Sequence, residues 1–385
     1  MIPLAVPDLT GNESNYLQEC ITTTFVSSTG PFVNRFEQMV AQAAGSLDAV
    51  ALSSGTTGLH AALTAVGVGH GDLVVLPAFT FIASANAIAH CGAMPWLVDI
   101  DPQRWTLDPT LLAEMLATET ETGRQSKQLI HRVTGRRVAA IMPVHTLGLP
   151  AAMAPLTELG QQYGLPVIAD GAAALGAQLN GQPVGNLGAV LTVFSFNGNK
   201  TVTCGGGGAI VGHDRNLIAL VRHLTTTARC GEEYDHDRVG FNYRMTNLQA
   251  AVGCAQMERL PSLVAAKQRI RQRYDQELSQ LPSWQTFPSP ADSSSACWFS
   301  GGLIDGISPP QMRQLLADLR EAGIGARPFW KPMHWQQPYR EAPRSEQTVA
   351  DAVAPRILTL PCSVNLTESE QEYVIEVVRS LLSNR

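Results

Sequence analysis

The chain reads as an α/β protein, with a mainly parallel mixed sheet covered by helices on both faces and a smaller C-terminal α+β domain. Three observations predict this. Short apolar runs alternate with helical patterns through the first two thirds of the 385 residues. Many of those runs lack strict in/out alternation, as expected of strands covered on both faces. After about residue 250 the texture changes to long helices and a Pro/Ser-rich stretch.

The strand candidates, in chain order, are Val50–Leu52, Leu73–Pro77, Pro95–Asp99, Ala139–Val144, Leu165–Ala169, Leu191–Phe196 and Ala209–Val211. Between the first two, Gly55–Val66 carries Leu59, Ala62, Leu63 and Val66 at a helical period. Strands that alternate with helices form a parallel sheet. Segment 118–137 is conspicuously polar, with Glu119, Glu121, Arg124, Lys127, Arg132, Arg136 and Arg137. It reads as a solvated excursion before the strand at Ala139, or as a loop that helps cover an anionic substrate. Farther on, Leu248–Leu260 and Leu263–Leu281 read as long helices and Pro288–Ser295 as a loop. An apolar run at Trp298–Ile304 and helices around Pro310–Ala322 and Glu368–Leu382 complete the chain. A chain of this length exceeds one small core, so we divide it into a large domain, 1–250, and a small one, 251–385.

Composition narrows the function. Hydrophobic residues make up 45% and charged residues 16%, a globular balance. The net charge is −6 and basic residues are spread along the chain, which argues against nucleic acid as the main partner. No apolar run approaches the ~18 residues that span a membrane. Met1–Pro7 lacks the basic-then-apolar order of a secretion signal. The seven cysteines are scattered and form no CxxC pair, so neither a disulfide framework nor a zinc site is suggested. The expected setting is the cytoplasm.

Four motifs sit at the ends of strand candidates. Ser53-Ser54-Gly55-Thr56-Thr57-Gly58 follows a strand and opens a helix. Its backbone N–H groups and hydroxyls make a phosphate cup, or the serine and threonine simply cap the helix. Phe81, just past Leu73–Pro77, stacks on a flat ring or packs in the core. Asp170 ends an apolar strand and precedes small residues; it pairs with a ligand or caps a helix. Lys200 lies in Phe194-Ser195-Phe196-Asn197-Gly198-Asn199-Lys200, ahead of Gly205–Gly208. Those glycines allow close backbone approach, or form a flexible turn. His145, after Pro143-Val144, lines the same region or is a satisfied core histidine. A lysine and an aspartate at the ends of two core strands suit pyridoxal phosphate (PLP). The amine condenses with the cofactor aldehyde, and the carboxylate keeps the pyridine nitrogen protonated. Cup, aromatic, aspartate and lysine follow one another in the order found along fold-type I PLP enzymes. A thiol enzyme built on Cys204 lacks an identifiable base.

Taken together, Ser54-Gly55-Thr56, Asp170, Phe194-Ser195-Phe196 with Lys200, and Gly240-Phe241-Asn242-Tyr243-Arg244-Met245 resemble the nucleotide-sugar aminotransferases of the DegT/DnrJ/StrS type. So does Arg327-Pro328-Phe329-Trp330 followed by Pro332 and His334. The resemblance runs from about Ile2 to the last helix. It implies that Lys200 bonds the cofactor, Asp170 partners its ring nitrogen and Phe81 stacks on the ring. It assigns the phosphate to Thr56, Thr57 and Ser195, with Asn242 reaching in from a neighbouring subunit; Ser54 and Gly55 of the cup are cofactor-binding candidates beside them. It therefore implies a homodimer with shared sites. His145, Arg244, Arg327 and His334 fall near the sugar-nucleotide site. Family members often carry Gln, His or Glu three residues after the aspartate; here Ala173 stands there. Residues 2–13 and the polar excursion are similar to the branch linked to legionaminic acid. That implies amino transfer from an amino acid, L-glutamate by resemblance, to a UDP-linked 4-keto-6-deoxy-N-acetylhexosamine. The alternatives are a GDP-linked 4-keto or a 3-keto sugar, or a regulator that keeps the fold without turnover.

Overall fold

The computed structural model describes residues 1–123 and 128–383. Seven strands form a continuous platform in the spatial order Asp48–Leu52, Gly208–Gly212, Leu191–Ser195, Ile168–Asp170, Val138–Ile141, Leu73–Pro77 and Met94–Val98. Single parallel bridges, Ile141 to Val167 and Val144 to Asp170, join its two halves. Gly208–Gly212 runs against both neighbours and every other adjacent pair is parallel.

Both faces are covered, which explains the unbroken apolar runs. Along Asp48–Leu52, side chains alternate between two cores. Val50 and Leu52 share one with Leu59 and Leu63 of the helix Gly55–Ala65. Ala49 and Ala51 share the other with Phe36 and Val40 of the helix Pro31–Ala44. Gly55–Ala65 lies close on the sheet; a Cβ at Gly58 would sit 2.7 Å from Val193 Cγ1.

A second sheet, antiparallel throughout, is built from Trp284–Thr286, Ser300–Ile304, Ile357–Leu360 and Arg327–Pro328. The start of the chain joins this part. Ile2 pairs in parallel with Ile324, and the Leu4 carbonyl accepts from Cys362 N–H at 2.8 Å.

The elements match the expected ones with local differences. The helices expected over 248–260 and 263–281 are Asn247–Met257 and Leu260–Leu278. Pro261 sits in the first turn of the second, where its missing N–H costs nothing. The strand expected at Leu165 begins regular pairing at Ile168, beyond Pro166, which has no N–H to give. Within the polar excursion, Thr120–Thr122 pairs with Leu129–His131 as a hairpin. His131 packs its ring 4.7 Å from that of Trp96. Arg132 is paired with Glu121 and Arg137 with Asp72. Arg124 and Lys127 lie outside the described residues.

Candidate active site

The turn that follows Leu52, the strand ends Asp170 and Ser195, and Gly206 and Gly207 ahead of Gly208–Gly212 converge on a cavity of about 440 Å³. This is the edge of an α/β sheet where ligands bind.

One wall is the start of Gly55–Ala65. Ser54 caps that helix: its Oγ accepts from Thr57 N–H, and Thr57 Oγ1 accepts from Ser54 N–H, both at 3.1 Å. The other first-turn N–H groups of a helix lack intrahelical acceptors and carry its positive dipole end. Gly55 and Thr56, which supply two of them, line the cavity beside Ser195 and Gly207. The packing behind this wall admits no side chain. A Cβ at Gly55 would sit 2.9 Å from Ser195 Cβ, and one at Gly208 only 2.4 Å from the Ser54 carbonyl oxygen. The result is a cradle suited to a phosphate dianion.

The opposite wall holds Asp170. Its carboxylate accepts from Ser84 Oγ at 2.6 Å and from Ala172 N–H at 3.0 Å. Ser84 Oγ is in turn 2.9 Å from Thr80 Oγ1. Burial pushes the Asp170 carboxyl up, against the pull of Ser84, Ala172 and the Lys200 charge. Lys200 follows a turn in which its N–H donates to the Asn197 carbonyl at 2.9 Å. Burial lowers its amine to about 8, with Asp170 opposing the shift. A substantial neutral fraction near neutral to mildly basic pH makes it a competent nucleophile.

His145 is buried, and its Nδ1 accepts from Ala151 N–H at 3.0 Å. The ring proton of the neutral form therefore sits on Nε2, which has no partner among the described residues. Burial brings this imidazole down to about 4, so it stays neutral. A buried donor without an acceptor on the cavity wall fits a ligand that supplies one. Cradle, carboxylate and amine together suit a flat ring with a phosphate arm.

The model for the DegT/DnrJ/EryC1/StrS aminotransferase family matches residues 7–379. The chain belongs to this family. It is 39% identical to a GDP-perosamine synthase of Caulobacter vibrioides, over 99% of this chain and 98% of that one. Another GDP-perosamine synthase, of Vibrio cholerae, is 33% identical over 99% of both chains. Among solved structures, the aminotransferase TlmJ from Streptoalloteichus hindustanus superposes with a TM-score of 0.89 at 28% identity, covering 100% of this chain and 99% of that one. The protein is a sugar aminotransferase, and its cofactor is PLP.

The remaining residues singled out from the sequence are spread more widely. In this aminotransferase, Phe81 and Arg327 line the cavity mouth. Phe81 is 52% exposed, its ring 5.9 Å from that of Trp330. Arg327 lies over Phe299, its guanidinium carbon 5.6 Å from the ring centre. Thr57 stands behind the cradle as the partner of Ser54. Asn242 is exposed and away from this cavity, bridged to Thr226. Arg244 is tied to the buried Glu37 at 2.7 Å, below the cradle strand. His334 bonds Asp351 at 2.8 Å outside the cavity.

Three cavity neighbours were not assigned roles from the sequence. Ser84 lies four residues beyond Thr80, a helical spacing that could have flagged it as turned toward Asp170. Trp330 sits inside the Arg327 motif. Trp298 carried no local signal at all, since it reaches Lys200 from the far part of the chain.

Proposed function

We propose that this aminotransferase moves an amino group from an amino acid, L-glutamate by resemblance, to a GDP-linked 4-keto sugar. Transamination rests on one observation: the amine of a half-buried lysine and a buried carboxylate share a cavity that ends in a helix-start cradle. The acceptor rests on the two GDP-perosamine synthases, 39% and 33% identical. They favour the GDP-linked alternative over the UDP-linked acetamido sugar.

PLP, when bound, supplies an aldehyde carbon and an electron-withdrawing ring. Lys200 would hold it through its amine and, in its free state, Nζ would take the proton that leaves the donor α-carbon and, in the second half-reaction, supply the proton gained by the sugar carbon that receives the amino group. Asp170 holds positive charge at the ring nitrogen, itself oriented by Ser84 and the Ala172 N–H. Ser54, Gly55, Thr56 and Ser195 would fix the phosphate end, with Thr57 holding Ser54 in place from behind. Phe81 covers the ring face, and Arg327 at the mouth offers its guanidinium to the anionic sugar nucleotide. His145, Arg244 and His334 are kept as candidates for the nucleotide side, Arg244 and His334 requiring release from their present partners. Asn242, exposed in one chain, completes the phosphate site of a neighbouring subunit, making the working unit a homodimer. The division near residue 250 and a cytoplasmic setting, in keeping with free cysteines, belong to the same proposal.

The test is a panel of GDP- and UDP-linked keto sugars with L-glutamate, read by mass for the aminated product. Product from the GDP-linked 4-keto sugar is expected. Product from the UDP-linked acetamido sugar alone would replace the acceptor but keep the chemistry. In Lys200→Ala we expect turnover to fall at least ~100-fold, with loss of the yellow absorbance of PLP bonded to an amine. Retention of both would refute the role of Lys200. Absorbance that ignores glutamate in the native protein would favour a regulator instead.

A further inference from the structure

An aromatic ring in contact with Lys200 comes from far along the chain. Lys200 Nζ lies 3.5 Å from the centre of the Trp298 ring. That indole is fixed from several directions. Its Nε1–H donates to the Asn199 carbonyl at 2.8 Å, one residue before the lysine. Its backbone N–H donates to the Leu147 carbonyl at 3.2 Å. Its own carbonyl accepts from Lys267 Nζ at 3.1 Å. Lys267 is buried and also donates to the Cys362 carbonyl at 2.6 Å, which anchors the segment to the second sheet. The ring packs 4.3 Å from Phe299 and 5.8 Å from Trp330.

An aromatic face carries negative charge density and attracts an ammonium, most strongly where water is excluded. A lysine that alternates between a bonded and a free state needs a defined place when free, because a loose four-carbon chain samples many rotamers.

We propose that Trp298 is a positioning residue whose indole face holds the protonated Lys200 amine whenever that amine is not bonded to cofactor. The proposal rests on the reading of Lys200 as the cofactor-bonding lysine. Other groups around the amine are accounted for. Asp170 attracts it electrostatically, and neutral His145 and the guanidinium of Arg327 line the same cavity. The Trp298 face is the surface in direct contact.

The test uses protein loaded with pyridoxamine phosphate, the form that leaves Lys200 free. Reductive methylation of Lys200 by formaldehyde and a borane is followed across pH from peptide masses; only the neutral amine reacts. Trp298→Leu removes the aromatic face and keeps apolar bulk. Its midpoint is expected about one pH unit lower than native, because the ammonium has lost its partner. Trp298→Phe keeps a face and is expected to shift clearly less. An unchanged midpoint in Trp298→Leu overturns the proposal, and so does an equal shift in both variants. Should Trp298→Leu fail to fold, Trp298→Met takes its place under the same criteria. Separately, PLP that forms no yellow adduct dependent on Lys200 would overturn the reading of the lysine itself. A midpoint blind to Trp298 overturns only the role of the tryptophan.

Discussion

At Lys200 and Asp170, burial favours the neutral form of each group, and their mutual attraction opposes both shifts. The pair is thereby poised for proton traffic, with an amine that loses its proton more easily than one in water. His145 shows the same physics with a different consequence. Burial brings its imidazole down to about 4, whereas a free imidazole titrates near ~6.5. Between those values the unfolded chain binds a proton that the folded chain excludes. Stability is therefore full above about pH 6.5 and is lost as pH falls toward 4, by at most ~1.4 kcal/mol per pH unit for one imidazole. The thermal midpoint of the native protein should drop more between about pH 7 and about pH 5 than that of His145→Gln. Equal drops would show that His145 gains its proton without cost to the fold. At this scale the sequence was informative about residues near strand ends: Asp170 stood out because it closes a core strand, and Lys200 because it lies a short turn beyond one. The lowered amine and the free Nε2 donor of His145 were not legible, because both depend on what surrounds the group.

The element that matters most to the site is the helix Gly55–Ala65 with its cap. Its start was readable from Ser54 and Thr57, which make reciprocal bonds across the first turn. Its docking was not readable, for it depends on the antiparallel strand Gly208–Gly212. That strand approaches so closely that a Cβ at Gly208 would meet the Ser54 carbonyl oxygen at 2.4 Å and Gly55 N at 2.7 Å. Backbone on both sides cannot yield as a flexible side chain could. Gly208→Ala is therefore expected to displace the cradle and weaken cofactor binding roughly tenfold or more, measured by cofactor retained on dialysis. Gly69→Ala, whose Cβ would meet nothing within 4 Å, serves as the control and should retain it fully. Equal retention in both would show that the cradle tolerates the displacement. Strand direction escaped the sequence reading for a general reason. An apolar run covered on both faces looks the same whichever way it runs, so Ala209–Val211 gave no hint that it opposes its neighbours. The hairpin within the polar excursion was hidden likewise, its pairing resting on contacts such as His131 against Trp96.

Across the whole molecule, the cavity draws on residues separated by most of the chain. Ser54 and Phe81 come from its first quarter, Trp298 and Arg327 from its last. Asn242 remains open to solvent in a single chain, as a group that completes a neighbour's site would be. The proposed sharing has a direct check. Lys200→Ala and Asn242→Ala homodimers should each be nearly inactive. Unfolding and refolding an equal mixture should restore about a quarter of native activity, since half the dimers are hybrids with one intact site. No recovery would place Asn242 outside the partner's site. The sequence by itself determined the layered α/β plan and the lysine–aspartate–cradle chemistry. Covalent attachment to strand ends delivers those groups to one sheet edge, however the strands are later ordered. Only the tertiary structure decided strand order, the seating of the N-terminal residues on the second sheet, and the indole that faces Lys200. Each of these rests on packing between segments distant in the chain, and such contacts leave no local period or spacing to read.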